Sequence, residues 1–455
     1  MPQLFGTDGL RARAGEFPLD EKSVIILGRA LASLLQRRNL LPRIVTGRDT
    51  RESGLWLEEC LISGFLQGGG QAVSAGVITT PGISYLVRSH NFSAGVVISA
   101  SHNPYLDNGI KIFSRLGTKI PEDWEEELES EITSGRLSSG LARECSLIKV
   151  NRNLIHDYLD FLRLTCAARP DKKLKLVVDC ANGASSQLAP ALFNSLGFVT
   201  VTINNQPDGK NINSGCGSLH PEQLAKKVVT EGADLGVAFD GDADRAVWVD
   251  ERGRVLNGDH TLYVQALHLK EKESLKKDTV VATIMSNMGL ERILEDNGIK
   301  LLRTRVGDKY VLEEMLKGGY SLGGEQSGHT IFLDQSIAGD GLLTSLKMLE
   351  VMLEKGKSLS ELVRDFQEYP QILLNVPVRE KVPFQEIPGY EEQAAEVRNR
   401  LGKNGRLEVR YSGTEMLARV MIEGPDRCLI EELAARLARV IDSCCGSRRS
   451  EGLVR

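Results

Sequence analysis

The sequence lacks any long uninterrupted run of apolar residues. No segment approaches the roughly 18 apolar residues that a membrane-spanning helix needs, so we expect no membrane partner. Residues 1–8 have neither a basic start nor an apolar stretch, and we therefore expect no secretory signal. These absences favour a cytoplasmic protein.

An excess of positive charge is also absent. The chain carries 56 Lys and Arg residues against 61 Asp and Glu residues, which gives a formal net charge of −5. Proteins that bind nucleic acids use a basic surface to displace counterions from the phosphate backbone. We therefore expect no nucleic-acid partner, while a local positive pocket for a small phosphate stays compatible with this charge.

Cysteines in zinc-binding pairs are missing as well. The eight cysteines are scattered at positions 60, 145, 166, 180, 216, 428, 444 and 445, and none belongs to a Cys-x-x-Cys pair. A zinc site is therefore disfavoured. Cys180 and Cys216 lie in apolar or glycine-rich settings, which is typical of reduced cysteines in a cytosolic protein.

The chain does contain a pattern that repeats three times. An apolar run ends in a polar turn, a helical stretch follows, and a second apolar run ends in a distinctive loop. This alternation predicts buried sheets with crossover helices, and such sheets place ligands at the loops after strand ends. The six apolar runs begin at Pro42, Ala94, Leu174, Leu235, Thr279 and Tyr320.

The length of 455 residues and the repeated pattern predict four domains. We expect three similar α/β domains at residues 1–150, 151–252 and 253–368. A strand-like run at 371–378 and a helical run at 427–441 predict a small α+β domain at 369–445. The tail at 446–455 is expected to be disordered.

The polar turn from Ser99 to Pro104 provides the first candidate site. The Ser101 hydroxyl could carry a phosphoryl group, although a serine in an ordinary turn is the plain alternative. His102 stands next to it, but neighbouring side chains on a turn usually diverge. No G-x-S-x-G motif is present, so an acyl-transfer hydrolase is disfavoured.

The loop from Asp240 to Arg245 provides the second candidate site. Its three carboxylates, Asp240, Asp242 and Asp244, stand at alternate positions and can converge on one hard cation. A solvated acidic turn is the alternative. A calcium-binding EF-hand is disfavoured, because Arg245 occupies the position where that loop needs glycine.

Two later loops carry groups suited to sugars and phosphates. The first holds three side chains that can hydrogen-bond hydroxyls: Glu325, Ser327 and His329. The second runs from Arg410 to Glu415 and offers a guanidinium, hydroxyls and a glycine, with Arg419 close behind. A capping box formed by Ser412 and Glu415 is the alternative for this second loop.

Lys111 follows Ser101 by one short turn. A lysine near a bound cation can have its pKa lowered enough to exchange protons, which makes Lys111 a candidate acid or base. A surface lysine on a strand is the alternative.

These four loops, in this order, resemble those of the α-D-phosphohexomutase family over nearly the whole chain. The segments at 5–11, 211–221, 306–311 and 323–329 resemble most closely the bacterial branch that isomerises glucosamine phosphates. The resemblance implies four domains around a central cleft. It also implies that the first three have mixed sheets and that the fourth clamps the substrate phosphate.

The resemblance further implies roles for individual residues. Ser101 would be the phosphoserine, and its phosphate would hold one Mg²⁺ per active site together with Asp240, Asp242 and Asp244. The residues expected to assist catalysis are Lys111, Arg11 and His329. Those expected to contact the sugar are His102, Arg245, Gly307, Asp308, Glu325, Ser327 and His329. Those expected to hold the other phosphate are Arg410, Ser412, Gly413, Thr414 and Arg419.

Two positions depart from the family pattern. Met416 stands where the family usually has proline, which would stiffen the phosphate loop by fixing φ. Ser99 stands where the family often has threonine, a chemically mild change.

The implied function is intramolecular phosphoryl transfer, an isomerase reaction between glucosamine 6-phosphate and glucosamine 1-phosphate. A bisphosphorylated sugar would be the intermediate and a candidate activator, and the family favours a homodimer. The alternative within the same family is a mutase of broader specificity that acts on glucose or mannose phosphates. A metal-dependent phosphatase and a non-catalytic sugar-phosphate binder are the more distant alternatives.

Overall fold

The structure of the chain, a computed structural model, describes residues 4–6, 8–138, 140, 148–166, 174–412 and 416–446. The chain forms two compact units. The large unit contains Met1–Thr283 and Leu301–Arg364, and the small unit contains Ile284–Lys300 and Asp365–Arg455. Each unit is built around its own buried apolar side chains.

The first sheet is mixed, as expected, and has six strands in the order β1-β2-β6-β5-β3-β4. Strand β3 is parallel to β4 and β5, whereas β6 is antiparallel to β5. Every residue of β5 is buried, which explains its continuous apolar sequence. The elements are β1 (Phe5–Gly6), β2 (Gly9–Arg13), α1 (Glu21–Arg37), β3 (Arg43–Arg48), α2 (Glu52–Gln67), β4 (Gln71–Val77), α3 (Thr80–Ser89), β5 (Ala94–Ile98), β6 (Asp107–Ser114) and α4 (Glu122–Ser134).

The second sheet has five strands in the order β11-β10-β9-β7-β8. Strands β7, β8 and β9 are parallel, and β10 returns antiparallel beside β9. The loop at 240–245 therefore joins the ends of two neighbouring buried strands. The elements are α5 (Asn153–Thr165), β7 (Lys175–Asp179), α6 (Ser185–Ser195), β8 (Val199–Ile203), α7 (Glu222–Glu231), β9 (Leu235–Phe239), β10 (Ala246–Asp250) and β11 (Val255–Leu256).

The third sheet has four strands in the order β13-β12-β14-β15. Strand β14 starts two residues later than the apolar run and includes Gly323 and Gly324, which the sequence analysis placed in a loop. These glycines pair with strands on both sides. The elements are α8 (Gly258–Glu271), β12 (Thr279–Thr283), α9 (Met288–Asp296), β13 (Lys300–Thr304), α10 (Asp308–Gly318), β14 (Leu322–Gly324), β15 (Thr330–Phe332), α11 (Gly341–Lys355) and α12 (Leu359–Leu362).

The small unit contains an antiparallel sheet of three strands in the order β16-β18-β17. Two helices pack their apolar faces on this sheet, and the last one extends four residues beyond the helical run seen in the sequence. The elements are β16 (Gln371–Pro377), α13 (Tyr390–Leu401), β17 (Arg406–Tyr411), β18 (Leu417–Glu423) and α14 (Arg427–Cys445). The expected α/β class with several domains is confirmed.

Two expectations about composition can be compared with the described residues. Among those residues, none of the helices combines the length and the apolar character that crossing a bilayer requires. The seven cysteines that lie in the described part of the chain are not joined to one another by disulfides. The residues expected to form a disordered tail lie outside the described residues, apart from Gly446.

Helices α1 and α2 approach closely because each has a glycine at the crossing. A Cβ atom on Gly64 would lie 1.9 Å from the carbonyl oxygen of Ile25. A Cβ atom on Gly28 would lie 2.1 Å from the carbonyl oxygen of Leu61. Both distances are far shorter than van der Waals contact, so the two helix backbones touch where a side chain cannot fit.

We predict that Gly64→Ala destabilises the protein, although alanine is intrinsically the better helix former. The added methyl group has to push α2 away from α1, which costs about 1–3 kcal/mol for overpacking. A fall of a few degrees in the apparent melting temperature would show it. Leu55→Ala, on an exposed position of the same helix, is the control and should change little. An unchanged or raised melting temperature for Gly64→Ala would contradict the prediction.

Candidate active site

The backbone of Ser101 is held in an unusual conformation just beyond the end of β5. Its φ is +52°, in the left-handed region that residues other than glycine rarely adopt. The Ser101 amide donates to the Ser99 hydroxyl oxygen at 2.9 Å, and that hydroxyl donates to Asp49 at 2.6 Å. The position two before Ser101, noted above for its change from threonine, therefore helps to fix the turn.

Arg51 binds the same turn from the other side. Its fully buried guanidinium pairs with Asp49 at 2.9 Å. It also donates to the carbonyl oxygens of Ser101, at 3.0 Å, and of two residues that follow, Asn103 and Pro104. Asn213 adds a donor from the second sheet region, 2.9 Å from the Ser101 carbonyl. The contribution of Asp49 and Arg51 to this turn was not predicted from the sequence. The only signal for it there is that both residues come directly after β3.

The three aspartates of the second loop come together as expected. One carboxylate oxygen from each of Asp240, Asp242 and Asp244 lies within 4.8 Å of the others. All three residues are buried. Within the part of the chain that the structure describes, Asp242 Oδ1 and Asp244 Oδ1 are buried without a hydrogen-bond partner. Buried carboxylate oxygens that converge in this way fit a hard divalent cation.

The turn that carries Ser101 and the aspartate loop touch. A Cβ atom on Gly241 would lie 2.5 Å from the Ser101 carbonyl oxygen, so glycine is required at this approach. The Ser101 hydroxyl donates to Asp240 Oδ2 at 2.5 Å. The structure therefore brings together the two loops that the sequence analysis expected to form one site, although 139 residues separate them.

The pKa shifts in the aspartate cluster reflect both the repulsion between buried carboxylates and the attraction of nearby cations. Burial, and then the charges of Asp244 and Asp242, raise the pKa of Asp240 well above its usual range. Burial would also raise the pKa of Asp244. The hydrogen bond from His329 and the charge of Lys111 outweigh that effect and lower it. The cluster thus depends on the cations around it.

Lys111 is the nearest of those cations. It lies on β6, is fully buried, and places Nζ 2.9 Å from Asp242 and 3.0 Å from Asp8. Burial alone would lower the pKa of Lys111, but the charges of Asp242 and Asp8 outweigh it and raise the pKa. This direction is opposite to the one the sequence analysis expected, because carboxylates surround the ammonium group. The alternative that Lys111 is a surface lysine on a strand is also wrong, because its side chain is buried.

The two arginines expected near the transferring group contact different carboxylates. Arg11 pairs with Asp8 and places a guanidinium nitrogen 3.4 Å from the side-chain oxygen of Asn103. Arg245 follows the aspartate loop, with Nε 3.8 Å from Asp244. Burial opposes the charged form of Arg245, yet the charge of Asp244 is the main reason that its pKa is raised. Both arginines thus border the buried carboxylates.

The side chains of Ser101 and His102 do not diverge, and that expectation is wrong. Ser101 Oγ and His102 Nδ1 are 3.3 Å apart, because the left-handed backbone of the turn brings them to the same side. Burial, followed by the charges of Arg245 and Arg11, lowers the pKa of His102 to about 4. His102 is therefore neutral near pH 7.

The expected sugar residues fall into two groups. Glu325 Oε1 accepts the backbone N–H of Gly307 at 3.1 Å, and Ser327 Oγ lies 3.4 Å from Glu325 Oε2. Asp308 starts α10 beside them. His329 is instead buried, with Nδ1 3.6 Å from Asp244, so it lies against the aspartate cluster.

The expected phosphate site belongs to the small unit. Arg410 on β17 and Arg419 on β18 are directly opposite partners in the antiparallel sheet. Like charges in such positions repel, and burial followed by the charge of Arg419 lowers the pKa of Arg410. Ser412 is buried, and its carbonyl oxygen accepts a hydrogen bond from Lys381 at 2.7 Å. Gly413 and Thr414, and with them the capping-box partner, lie outside the described residues.

Comparisons with known proteins agree with this architecture. Four family models of the phosphoglucomutase/phosphomannomutase family match: α/β/α domain I at residues 2–138, domain II at 156–253, domain III at 257–369 and the C-terminal domain at 373–440. A protein of Burkholderia thailandensis from this family has a solved structure with a TM-score of 0.80 and 23% identity, covering 99% of both chains.

Two curated relatives are more similar in sequence. A phosphoglucosamine mutase of Koribacter versatilis is 46% identical over 98% of this chain and 97% of its own length. A phosphoglucosamine mutase of Solibacter usitatus is 48% identical over 96% of this chain and 98% of its own length. The fold and the paired serine and aspartate loops define an enzyme of phosphoryl transfer. The chain belongs to the phosphoglucomutase/phosphomannomutase family, the α-D-phosphohexomutases, and this relationship implies a metal cofactor.

We predict that Arg51→Met strongly destabilises the large unit. The substitution leaves the buried Asp49 carboxylate without its cation and removes a donor from three carbonyl oxygens, and breaking a buried ion pair typically costs about 3–5 kcal/mol. Thermal unfolding measures the effect. Arg37→Met removes an arginine from the half-exposed pair with Glu127 and should cost no more than about 1 kcal/mol. Equal melting temperatures for the two variants would refute the role assigned to Arg51.

Proposed function

We propose that this protein is a phosphoglucosamine mutase that interconverts glucosamine 6-phosphate and glucosamine 1-phosphate. The observation that carries the proposal is the 2.5 Å contact between the Ser101 hydroxyl and Asp240 of the buried aspartate cluster. Relatives of 44–48% identity over nearly the whole chain carry the name phosphoglucosamine mutase, which supports the choice of sugar. The reaction class is intramolecular phosphoryl transfer.

In the proposed reaction, phosphorylated Ser101 donates its phosphoryl group to the free hydroxyl of the sugar phosphate. The bond between phosphorus and Ser101 Oγ breaks and a bond to the sugar oxygen forms. In net terms the proton of the sugar hydroxyl is transferred to the serine oxygen, which becomes a free hydroxyl again. Lys111, Arg11 and His329 are proposed to assist this transfer. Lys111 is held protonated by its carboxylate neighbours and can return a proton to the serine oxygen.

The bisphosphorylated sugar then has to turn over, so that its other phosphate meets Ser101. We propose that one set of residues holds the non-reacting phosphate in both orientations: Arg410, Ser412, Gly413, Thr414 and Arg419. The residues proposed to contact the sugar itself are Glu325, Ser327, His102, Arg245, Gly307 and Asp308. The hydrogen bond between Glu325 and the Gly307 backbone supports a shared sugar site for those two.

The cation that we propose is Mg²⁺, one per active site, held by Asp240, Asp242, Asp244 and the phosphate on Ser101. Hard oxygen donors favour Mg²⁺ over softer metals. When bound, it would offset negative charge on the transferring phosphoryl group. The two buried aspartate oxygens without partners support this assignment.

Further parts of the proposal concern organisation. We propose domain boundaries near residues 150, 252 and 368, which the separate family-model matches support. We propose a cytoplasmic location, which the scattered cysteines of the sequence support. A homodimer and activation by a bisphosphorylated sugar remain predictions from the family resemblance.

The substrate is tested by measuring kcat/KM for the 6-phosphates of glucosamine, glucose and mannose. The protein is first shown by mass spectrometry to carry phosphoserine, and the assay contains Mg²⁺. We expect a preference for glucosamine of a hundredfold or more, which is about 3 kcal/mol of transition-state binding. Comparable rates on glucose or mannose would favour the alternative, a phosphoglucomutase/phosphomannomutase of broader specificity.

The role of Ser101 is tested with Ser101→Ala. We expect turnover to fall by about 10³-fold or more, because the group that carries the phosphoryl is gone, while binding of the sugar phosphate is retained. Ser89→Ala, an exposed serine on α3, is the matched control and should keep full activity. Release of inorganic phosphate in stoichiometric yield by the wild type would indicate a phosphatase. Binding without any turnover by the wild type would indicate a sugar-phosphate binder.

A further inference from the structure

Lys119 lies between two carboxylates that come from distant parts of the chain. Its Nζ atom is 2.8 Å from Asp8 Oδ1 and 2.8 Å from Asp308 Oδ1. Asp8 lies in the turn between β1 and β2, and Asp308 is the first residue of α10. Lys119 itself follows β6, where it forms a bridge with Phe113. One ammonium group therefore joins three segments of the large unit.

This contact is part of a continuous chain of alternating charges. Asp8 offers its other oxygen, Oδ2, to Lys111 Nζ at 3.0 Å. Lys111 in turn lies 2.9 Å from Asp242 of the aspartate cluster. Read from one end, the order is Asp308, Lys119, Asp8, Lys111 and Asp242. The chain thus runs from the start of α10, beside the Gly307 contact with Glu325, to the aspartate cluster.

The middle of this chain is largely withdrawn from water. The side chain of Lys119 is 18% exposed and that of Asp8 is 24% exposed. Burial would raise the pKa of Asp8, but the charges of Lys111 and Lys119 lower it well below its usual range. Asp8 is therefore an anion shared by these lysines and by Arg11. If the charge of Lys119 were removed, Asp8 would keep its ion pairs with Lys111 and Arg11. We expect the side chains of these three residues to move in response.

We propose that Lys119 is a positioning residue that fixes Asp8, and through it Lys111 and Arg11, relative to Asp308 of the sugar site. The inference rests on the proposed function, since Lys111, Arg11 and Asp308 are assigned their roles there. Lys119 contacts Asp8 and Asp308, and it is through these two carboxylates that it acts on the reaction. Small displacements of catalytic groups reduce rates steeply, by up to about a hundredfold for an error of 1 Å.

The competing explanation is that Lys119 only stabilises the packing of the segment after β6 against α10. A second lysine of the protein provides a control for this explanation. Lys309, next to Asp308, pairs with Glu122 of α4 at 2.9 Å. This pair joins the same two parts of the molecule, but Glu122 is 78% exposed and the pair lies outside the chain of charges. Lys309→Met therefore removes a tie without touching the catalytic ions.

The experiment compares Lys119→Met, Lys119→Arg and Lys309→Met with the wild type, all fully phosphorylated at serine and assayed with Mg²⁺. For Lys119→Met we expect kcat to fall at least tenfold, measured at a temperature where every variant is folded. Its melting temperature should lie below that of Lys309→Met, because the carboxylates that Lys119 pairs with are less exposed than Glu122. Lys309→Met should keep kcat within twofold of the wild type. Lys119→Arg keeps the charge and should be at least fivefold more active than Lys119→Met.

Two results would overturn the inference. One is a kcat for Lys119→Met within twofold of that for Lys309→Met, and the other is an arginine variant no better than the methionine variant. If Lys119→Met does not fold, Lys119→Gln takes its place under the same thresholds. The proposed function is judged separately, by the wild-type rate on glucosamine 6-phosphate. The variants are compared on whichever of the three hexose 6-phosphates the wild type converts.

Discussion

The structure depends on one constraint: three carboxylates, Asp240, Asp242 and Asp244, are buried within a few ångströms of one another. Buried charges of one sign are strongly unfavourable unless cations balance them. The neighbouring segments supply that balance through Lys111 and Arg245. Lys111 must also be held, and its ion pair with Asp8 does so. Much of the large unit can thus be understood as a frame that makes a dense anionic site stable while leaving carboxylate oxygens for a metal.

The same frame explains why Ser101, the proposed carrier of the phosphoryl group, is so tightly fixed. A hydroxyl that gives and receives a phosphoryl group gains most from being preorganised, because misplacement directly lowers the rate. Ser101 adopts a backbone conformation that costs energy, and hydrogen bonds from Arg51 and to Ser99 hold it there. The strain and its compensation lie in one turn. Function and local stability are therefore coupled at this point of the fold.

The sequence predicted the class of fold and the meeting of Ser101 with Asp240, since motif spacing and strand-end position carry that information. It did not predict Arg51, Asp8 or Lys119, because their importance arises only when distant segments meet. The direction of the Lys111 pKa shift was missed for the same reason: its value depends on which carboxylates surround it. Gly323 and Gly324 were taken for loop residues, although crowding by Met315 and by neighbouring backbone makes glycine necessary within that strand.

The facing arginines of the small unit have a consequence for how the protein responds to its surroundings. Arg410 and Arg419 repel each other across the sheet, and this electrostatic repulsion opposes the pairing of the two strands that carry them. A dianion bound between them would offset that repulsion. A ligand that binds the folded form better than the unfolded form also shifts the folding equilibrium toward the folded form. Metabolite supply would then act on the lifetime of the protein as well as on its turnover.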